Sequence, residues 1–446
     1  MAVPTVPRTL EQRPPEPQLL ARMRRLGPSL SRALLAIILA FSLGGIVITL
    51  TNGNPLAAYW NMFLGAFGDL QSFSYTLVIV TSLIFAGLSV AIANRAGLFN
   101  IGAQGQLAVG AMTAGIIAFK APNAPGWLLI PLMIVASALA GAIWGGIVGL
   151  LKAWRGSHEV VTTIMLNWTA FYISDYLISG PFKAPNQANQ TSSLPLQATL
   201  PRLSIWYNDT LGKFLPQIPQ PEQYLVDVSI FFALIALVVY WFITRRTTFG
   251  YEVRVIGQNP KAAQYAGIPI KRNIVLAMAL AGAFAGLAGS LHLMGQFPYQ
   301  LIGTTFALDT TGFDGIGVAL LGNTTPLGIL FGALFFGGLR QGGNLMQLNT
   351  NVPIDVYRFI EALVLLFITA QFLPGFQRYL PNWLRVNRPP ATATLAASSV
   401  GAPTGGAAMV DLPDNGNNLH LAENNGLPPG EKLASVDRHS DQVEEN

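Results

Sequence analysis

The sequence has no cysteine among its 446 residues. That absence excludes disulfide frameworks, thiolate metal sites and cysteine nucleophiles. Charge is almost as scarce: Asp, Glu, Lys and Arg make up 11% of the chain, against roughly a quarter in ordinary soluble domains. Four histidines, at positions 158, 292, 420 and 439, form no pair at metal-ligand spacing and suggest no Ser/His/Asp set. Nor does a Gly-x-x-x-x-Gly-Lys-[Ser/Thr] phosphate loop occur, so the chain should not bind ATP in that manner. The expectation is a non-enzyme with no cofactor of its own, driven by an ion gradient or by a separate ATPase. The net charge of +5 is no nucleic-acid signal, because the basic residues fall in loops where they report membrane orientation.

What is abundant is apolar. Hydrophobic residues make up 51% of the chain and mean hydropathy is +0.45. The 45 glycines suit helices that pack closely in lipid, where no hydrophobic force drives them together. A span needs about 20 mostly apolar residues. Candidates are Arg32 to Leu50, Phe73 to Ala93, Ile101 to Phe119, Trp127 to Leu151, Val160 to Ile178, Leu225 to Thr244, Ile274 to Leu293 and Tyr357 to Phe372. Leu301 to Arg340 is apolar but broken at Gly322-Asn323-Thr324-Thr325-Pro326, and reads as two short spans or as one span plus a surface helix. Interrupted segments of this kind line sites in transporters. The reading is an all-α polytopic membrane protein of about ten transmembrane helices.

Orientation follows the basic residues. Arg8, Arg13, Arg22, Arg24 and Arg25 precede the first span, which reads as an uncleaved anchor, and the loop after it has no Lys or Arg. Arg95, Lys152, Arg155 and the group from Arg245 to Arg272 share the N-terminal side, so both termini are expected in the cytoplasm. Arg340 and Arg358 fall near the outer side, against the trend. The expected organisation is a cytoplasmic tail at 1–30, a transmembrane body at 31–385 and a disordered cytoplasmic tail at 386–446. The body contains an extracytoplasmic loop at 181–224, with room for a short surface helix, and a basic cytoplasmic loop at 245–272.

Several segments are candidates for function. Gly141, Gly145 and Gly149, and likewise Gly282 and Gly286, are spaced by four and mark close helix packing. Asn259 is placed to cap a short helix with Pro260 at its first position, running to a stop at Gly267. This helix is either a docking element or an ordinary basic loop. Asn100, Gln104 and Gln106 open the third span, and the two glutamines lie about 200° apart on a helix, so at most one faces a given cavity. Uncharged amides suit a neutral polar solute, since they both donate and accept. Thr163, Asn167, Phe171 and Asp175 share one helix face, flanked by Trp168 and Tyr172, and such a stripe should face the protein interior. Asp355, Arg358 and Glu361 are spaced for an ion pair along one face.

These residues resemble the permease subunits of bacterial ABC importers, in the branch serving nucleosides and simple sugars (branched-chain amino acid and ribose permease-like). The most distinctive block is Gly87 to Ala91 followed by Arg95 to Gln106, although the family commonly has Glu where this chain has Gln104. Val160 to Asn167 is similar to a second block, and Gly257-Gln258-Asn259-Pro260 with Ala262, Ala263 and Gly267 to the coupling loop. Phe313 to Gly322 with Pro326-Leu327-Gly328 is the fourth.

The resemblance implies two inverted halves in a bacterial inner membrane, moving nucleosides by alternating access. It implies a cytoplasmic ATPase that uses the ATP, a second permease forming a heterodimer, and an extracytoplasmic substrate-binding lipoprotein. Asn100, Gln104, Asn167, Trp168 and Asp314 are the expected pathway residues. Alternatives are a ribose-type sugar permease, a gradient-driven transporter with Asp175 or Glu361 carrying protons, and a membrane scaffold without transport.

Overall fold

The computed structural model describes residues 18–303 and 310–370, with side chains described for 33–303 and 310–369. The described residues are helical with only isolated β-bridges. In order the helices are α1 (Gln18–Leu50), α2 (Pro55–Phe67), α3 (Leu70–Arg95), α4 (Ala103–Lys120), α5 (Gly126–Arg155), α6 (Glu159–Ser179) and α7 (Leu203–Thr210). They continue with α8 (Ser229–Arg246), α9 (Thr248–Gln258), α10 (Pro260–Tyr265), α11 (Ile270–Gly295), α12 (Thr311–Leu321), α13 (Pro326–Thr350) and α14 (Asp355–Ala370). Windows within α1, α3, α5, α8 and α11 are long and apolar enough to cross a membrane. With these helices the molecule is a multi-pass membrane protein. The expected tail at 386–446 and the end of the expected last span lie outside the described residues.

Helix α3 is the hub. From Val78 to Ala93 every side chain is buried but Ile79. On one side of it α4, α5 and α11 pack through glycines. A Cβ on Gly141 would land on the Gly282 carbonyl oxygen and within 2.9 Å of the Gly286 Cα, so the α5 and α11 backbones touch. Gly110 of α4 meets Gly286 from the third direction, where the Ser137 hydroxyl donates to the Gly110 carbonyl at 2.8 Å. The four-residue glycine spacing read from the sequence is this seam.

On the other side of α3 lie α2, α12 and α13. Helix α2 is not among the expected spans, because its apolar stretch is too short to cross a membrane. Its signal is Asn54-Pro55: the Asn54 side chain accepts from the Leu56 and Ala57 amides at 3.0 and 3.3 Å, with Pro55 opening the helix. Its 13 residues reach only about 20 Å. It packs on α13 so closely that a Cβ added to Gly65 would fall 2.6 Å from the Leu345 Cβ.

The break at Gly322 to Pro326 is present. Helix α12 stops at Gly322, and Thr325 accepts from the Gly328 amide at 3.1 Å to start α13 at Pro326. Helix α13 does not end at Arg340 as the expected span did; it runs ten residues further, to Thr350, which places Arg340 inside the helix. In the 181–224 loop the expected short surface helix is α7.

Candidate functional site

Polar groups gather where α3, α4 and α12 meet. The turn from Ala96 to Gly102 carries Asn100 into the interior, with none of its surface exposed. Its Nδ2 donates to the Ser89 hydroxyl at 3.0 Å and to Gln106 Oε1 at 2.9 Å. Its Oδ1 accepts from the Gly102 amide at 3.1 Å and from Gln106 Nε2 at 3.2 Å. Asn100 and Gln106 thus satisfy each other, and Asn100 holds the entry to α4 to the wall of α3. Gln104 points the other way, as the helical angle requires: its Oε1 accepts from the Gly312 amide in the first turn of α12 at 2.6 Å. An amide oxygen here meets one of the unpaired N–H groups that every helix start leaves.

Around the start of α12 three charged side chains, Asp314, Arg340 and Glu361, converge. The Thr310 hydroxyl donates to Asp314 Oδ2 at 2.9 Å, and Arg340 Nη1 of α13 donates to the Thr311 hydroxyl at 3.0 Å. Glu361 of α14 is buried, 6% exposed, within electrostatic reach of Asp314, Arg340 and Arg358. Arg358 itself pairs with Asp355 at 3.4 Å, and both of these are exposed while Glu361 is buried. From α3, Ser82 joins the same level, since Ala86 packs on Gly315 and Gly87 on Val318 one turn further along. The Ser82 hydroxyl lies 3.4 Å from His292 Nδ1 of α11.

One polar layer therefore crosses six helices: Ser82, Gln104, His292, Thr311 with Asp314, Arg340 and Glu361. Ser82 is about 18 Å along α3 from its first residue, and Arg340 about 21 Å along α13, so the layer sits in the middle of both. Polar and ionisable groups at such depth are expensive in lipid and mark pathways. The layer offers amides, hydroxyls, carboxyls and a guanidinium, a set that can bond a neutral polyhydroxy or heterocyclic solute from several sides. Sequence reading singled out Gln104 and Asp314 but not Ser82, His292 or Arg340. The available signal was a histidine and an arginine inside otherwise apolar helices.

Asn167 and Trp168, adjacent in sequence, part company. Asn167 is buried; its Oδ1 accepts from the Gly105 amide at 2.8 Å and its Nδ2 donates to the Ile101 carbonyl at 3.0 Å, bracing α6 against the start of α4. Trp168 is 54% exposed, and with Val161, Met165, Tyr172 and Tyr176 forms an apolar, aromatic outward face of α6. The expected inward stripe holds at Thr163 and Asn167 and ends there. Asp175 is exposed and accepts from Asn189 of the following loop at 3.1 Å.

On the face bearing Arg245 and Arg246, the basic loop is two helices. Thr247 caps α9, accepting from the Gly250 amide at 3.1 Å. Asn259 caps α10, accepting from the Ala262 amide at 3.1 Å, and the chain leaves through Gly267 at φ +73. Ala263 is buried, while Lys261, Ala262, Gln264 and Tyr265 face outward, Tyr265 at 94% exposure. Gly257 abuts Gly97, their backbones so close that a Cβ on Gly97 would fall 3.1 Å from the Gly257 Cα. Beside them Arg95 Nε donates to the Tyr240 hydroxyl at 2.8 Å, and Arg95 Nη2 and the Tyr240 hydroxyl both donate to the Thr324 carbonyl, at 2.9 and 2.8 Å. Arg95 thereby ties α3 and α8 to the turn between α12 and α13.

Interrupted helices about a polar layer in the interior, with a small capped helix on the basic face, define a membrane permease. The family described as branched-chain amino acid transport system / permease component matches residues 72–369. The chain is 36% identical over 343 residues to a guanosine ABC transporter permease protein of Bacillus subtilis (strain 168), covering 77% of this chain and 94% of that one. It is 35% identical over 344 residues to a nucleoside ABC transporter permease protein of Lactococcus lactis subsp. cremoris (strain MG1363), covering 76% and 90%. A glucose ABC transporter permease protein of Haloferax volcanii is 32% identical over 362 residues, covering 81% and 92%. No solved structure matches the chain. The chain belongs to the branched-chain amino acid transport system permease family, whose members are permease components rather than enzymes.

Proposed function

We propose that the chain is the transmembrane subunit of a bacterial ABC importer that moves nucleosides inward by alternating access. The observation that carries this reading is the polar layer around the first turn of α12, built of groups that suit a ribose and a base. The guanosine and nucleoside permease relatives support the substrate class. The fold in its native state is ten spans in two inverted halves, with both termini in the cytoplasm of a bacterial inner membrane. Basic residues at Arg95, Lys152, Arg155 and Arg245 to Arg272 support that orientation.

Gln104 and Asp314 line the pathway, and Asn100 and Asn167 hold its walls. Trp168, on the outward face of α6, reaches substrate only where a second permease, in our reading a different chain, closes the pathway. A permease component of this kind works with an ATPase and a substrate-binding protein. ATP is used by the ATPase subunit and no cofactor resides on this chain; the binding protein is a lipoprotein held at the opposite membrane face. Gly257, Asn259, Pro260, Ala262, Ala263 and Gly267 form the coupling element. Its capped helix, with one buried anchor at Ala263 and an exposed Tyr265, is built to receive the ATPase and pass motion to Gly97 and α4.

A simple-sugar permease is the second reading, favoured by the Haloferax glucose relative. Uptake of labelled guanosine, uridine and ribose by cells with and without the gene separates the two. Loss of nucleoside uptake alone supports the first, and loss of ribose uptake alone replaces it with the second.

A further inference from the structure

At the end of α3 and α8 remote from the basic face, the 181–224 loop lies over the helices and with them lines an open apolar cavity of about 370 Å³. That volume is in the range of small-molecule sites. Phe73 and Leu77 of α3, Phe231 of α8, and Trp206, Ile218 and Tyr224 of the loop line it. The serines of the wall are engaged by the protein. Ser74 Oγ accepts from the Val226 amide at 2.9 Å, and Ser204 Oγ donates to the Pro221 carbonyl at 2.6 Å. The lining turns only hydrocarbon toward the cavity, so a nucleoside or sugar would lose its hydrogen bonds on entry.

Phe231, in the cavity wall and 48% exposed, continues the apolar outer face of α8: Leu234, Ile235, Val238 and Phe242. That face meets lipid tails. Trp206, Tyr207 and Tyr224 stand at the end of the spans, where aromatic residues gather at the boundary between tails and head groups. We infer that this cavity is a binding site for one acyl chain of a phospholipid in the leaflet opposite the basic face, drawn in between α3, α8 and the loop. The occupant clamps the loop to the membrane end of the bundle.

Native mass spectrometry of the full chain purified from membranes tests this, with phospholipid as the probe. One phospholipid per chain should stay bound at collision energies that strip the rest. Leu77→Trp, which fills the cavity from α3, and Ile218→Trp, which fills it from the loop, should each lower that occupancy at least tenfold. Ile143→Trp, on the exposed face of α5 and outside the cavity lining, should leave it unchanged. The inference is overturned if the unaltered chain retains no phospholipid. It is equally overturned if both filled variants, eluting as folded protein, retain it as before, or if a second protein chain cross-links at Ile218 in place of lipid.

Discussion

The α5–α11 seam yields a sharp test, because two glycines on one helix face different surroundings. A Cβ on Gly141 would strike the Gly282 carbonyl oxygen and stand 2.9 Å from the Gly286 Cα, whereas a Cβ on Gly146 would meet only the Ala279 Cβ at 3.7 Å. Carbon atoms pack best at about 3.5–4.0 Å, so Gly141→Ala must push the backbones apart by about 0.6 Å or more, and a gap of that size forfeits a quarter or more of each contact's attraction. Both partners are main chain, and no side chain can rotate away. Overpacking of this kind costs about 1–3 kcal/mol. Gly146→Ala has no such penalty and gains up to about 1 kcal/mol in helix propensity. The assay is the fraction of purified protein that remains monodisperse after heating. Gly141→Ala should lower the midpoint by several degrees, and Gly146→Ala should hold or raise it. Equal midpoints for the two would refute the close-packed seam.

Three further outcomes follow from the geometry. Tyr265→Ala should leave expression and thermal midpoint within error of the parent yet lower transport severalfold and weaken co-purification of the ATPase, because it alters only an exposed helix; Asn259→Ala should do the same to transport and also cost about 1 kcal/mol through the lost cap. Gln104→Glu keeps an acceptor for the Gly312 amide and should fold normally, while Gln104→Leu leaves a helix-start N–H unpaired and should cost about 1–3 kcal/mol, measured as a lower thermal midpoint. Burial raises the Asp227 carboxyl above its ordinary range, opposed by hydrogen bonds from Ser229 and by Arg202. Its contribution to stability is thus fully present below the unfolded value of about 3.9 and is lost as pH rises through the folded value. Asp227→Asn should flatten that part of the stability profile; an unchanged profile would remove Asp227 from the account.

Much of the fold was legible because its signals are local. Asn259-Pro260 announced α10 through capping alone, and the i, i+4 glycines announced the α5–α11 seam. Helix α2 was missed although Asn54-Pro55 carries the same cap, since its 13 residues are too few to read as a span. The site was legible only in part. Asn100, Gln104 and Asn167 stood out as polar residues in apolar surroundings and join α4 to its neighbours, whereas Asp314 was pointed to only by the family resemblance. Which side of a helix a residue faces depends on partners distant in sequence. Trp168 and Asn167 differ by one position and end on opposite sides of α6. Arg340 was read as a loop cation because the expected span stopped there; only the extension of α13 to Thr350 moves it beside Thr311. Glu361 was grouped with Arg358 by spacing, yet burial beside Asp314 and Arg340 decides its surroundings.

The most direct test of the central claim is guanosine accumulation in proteoliposomes holding this chain with its partner permease, ATPase and binding protein. Accumulation should require ATP on the ATPase side, persist with an uncoupler, and stop with a hydrolysis-dead ATPase. Uptake that follows a proton gradient and ignores the ATPase would contradict the account and return Asp175 or Glu361 to the role of proton carrier.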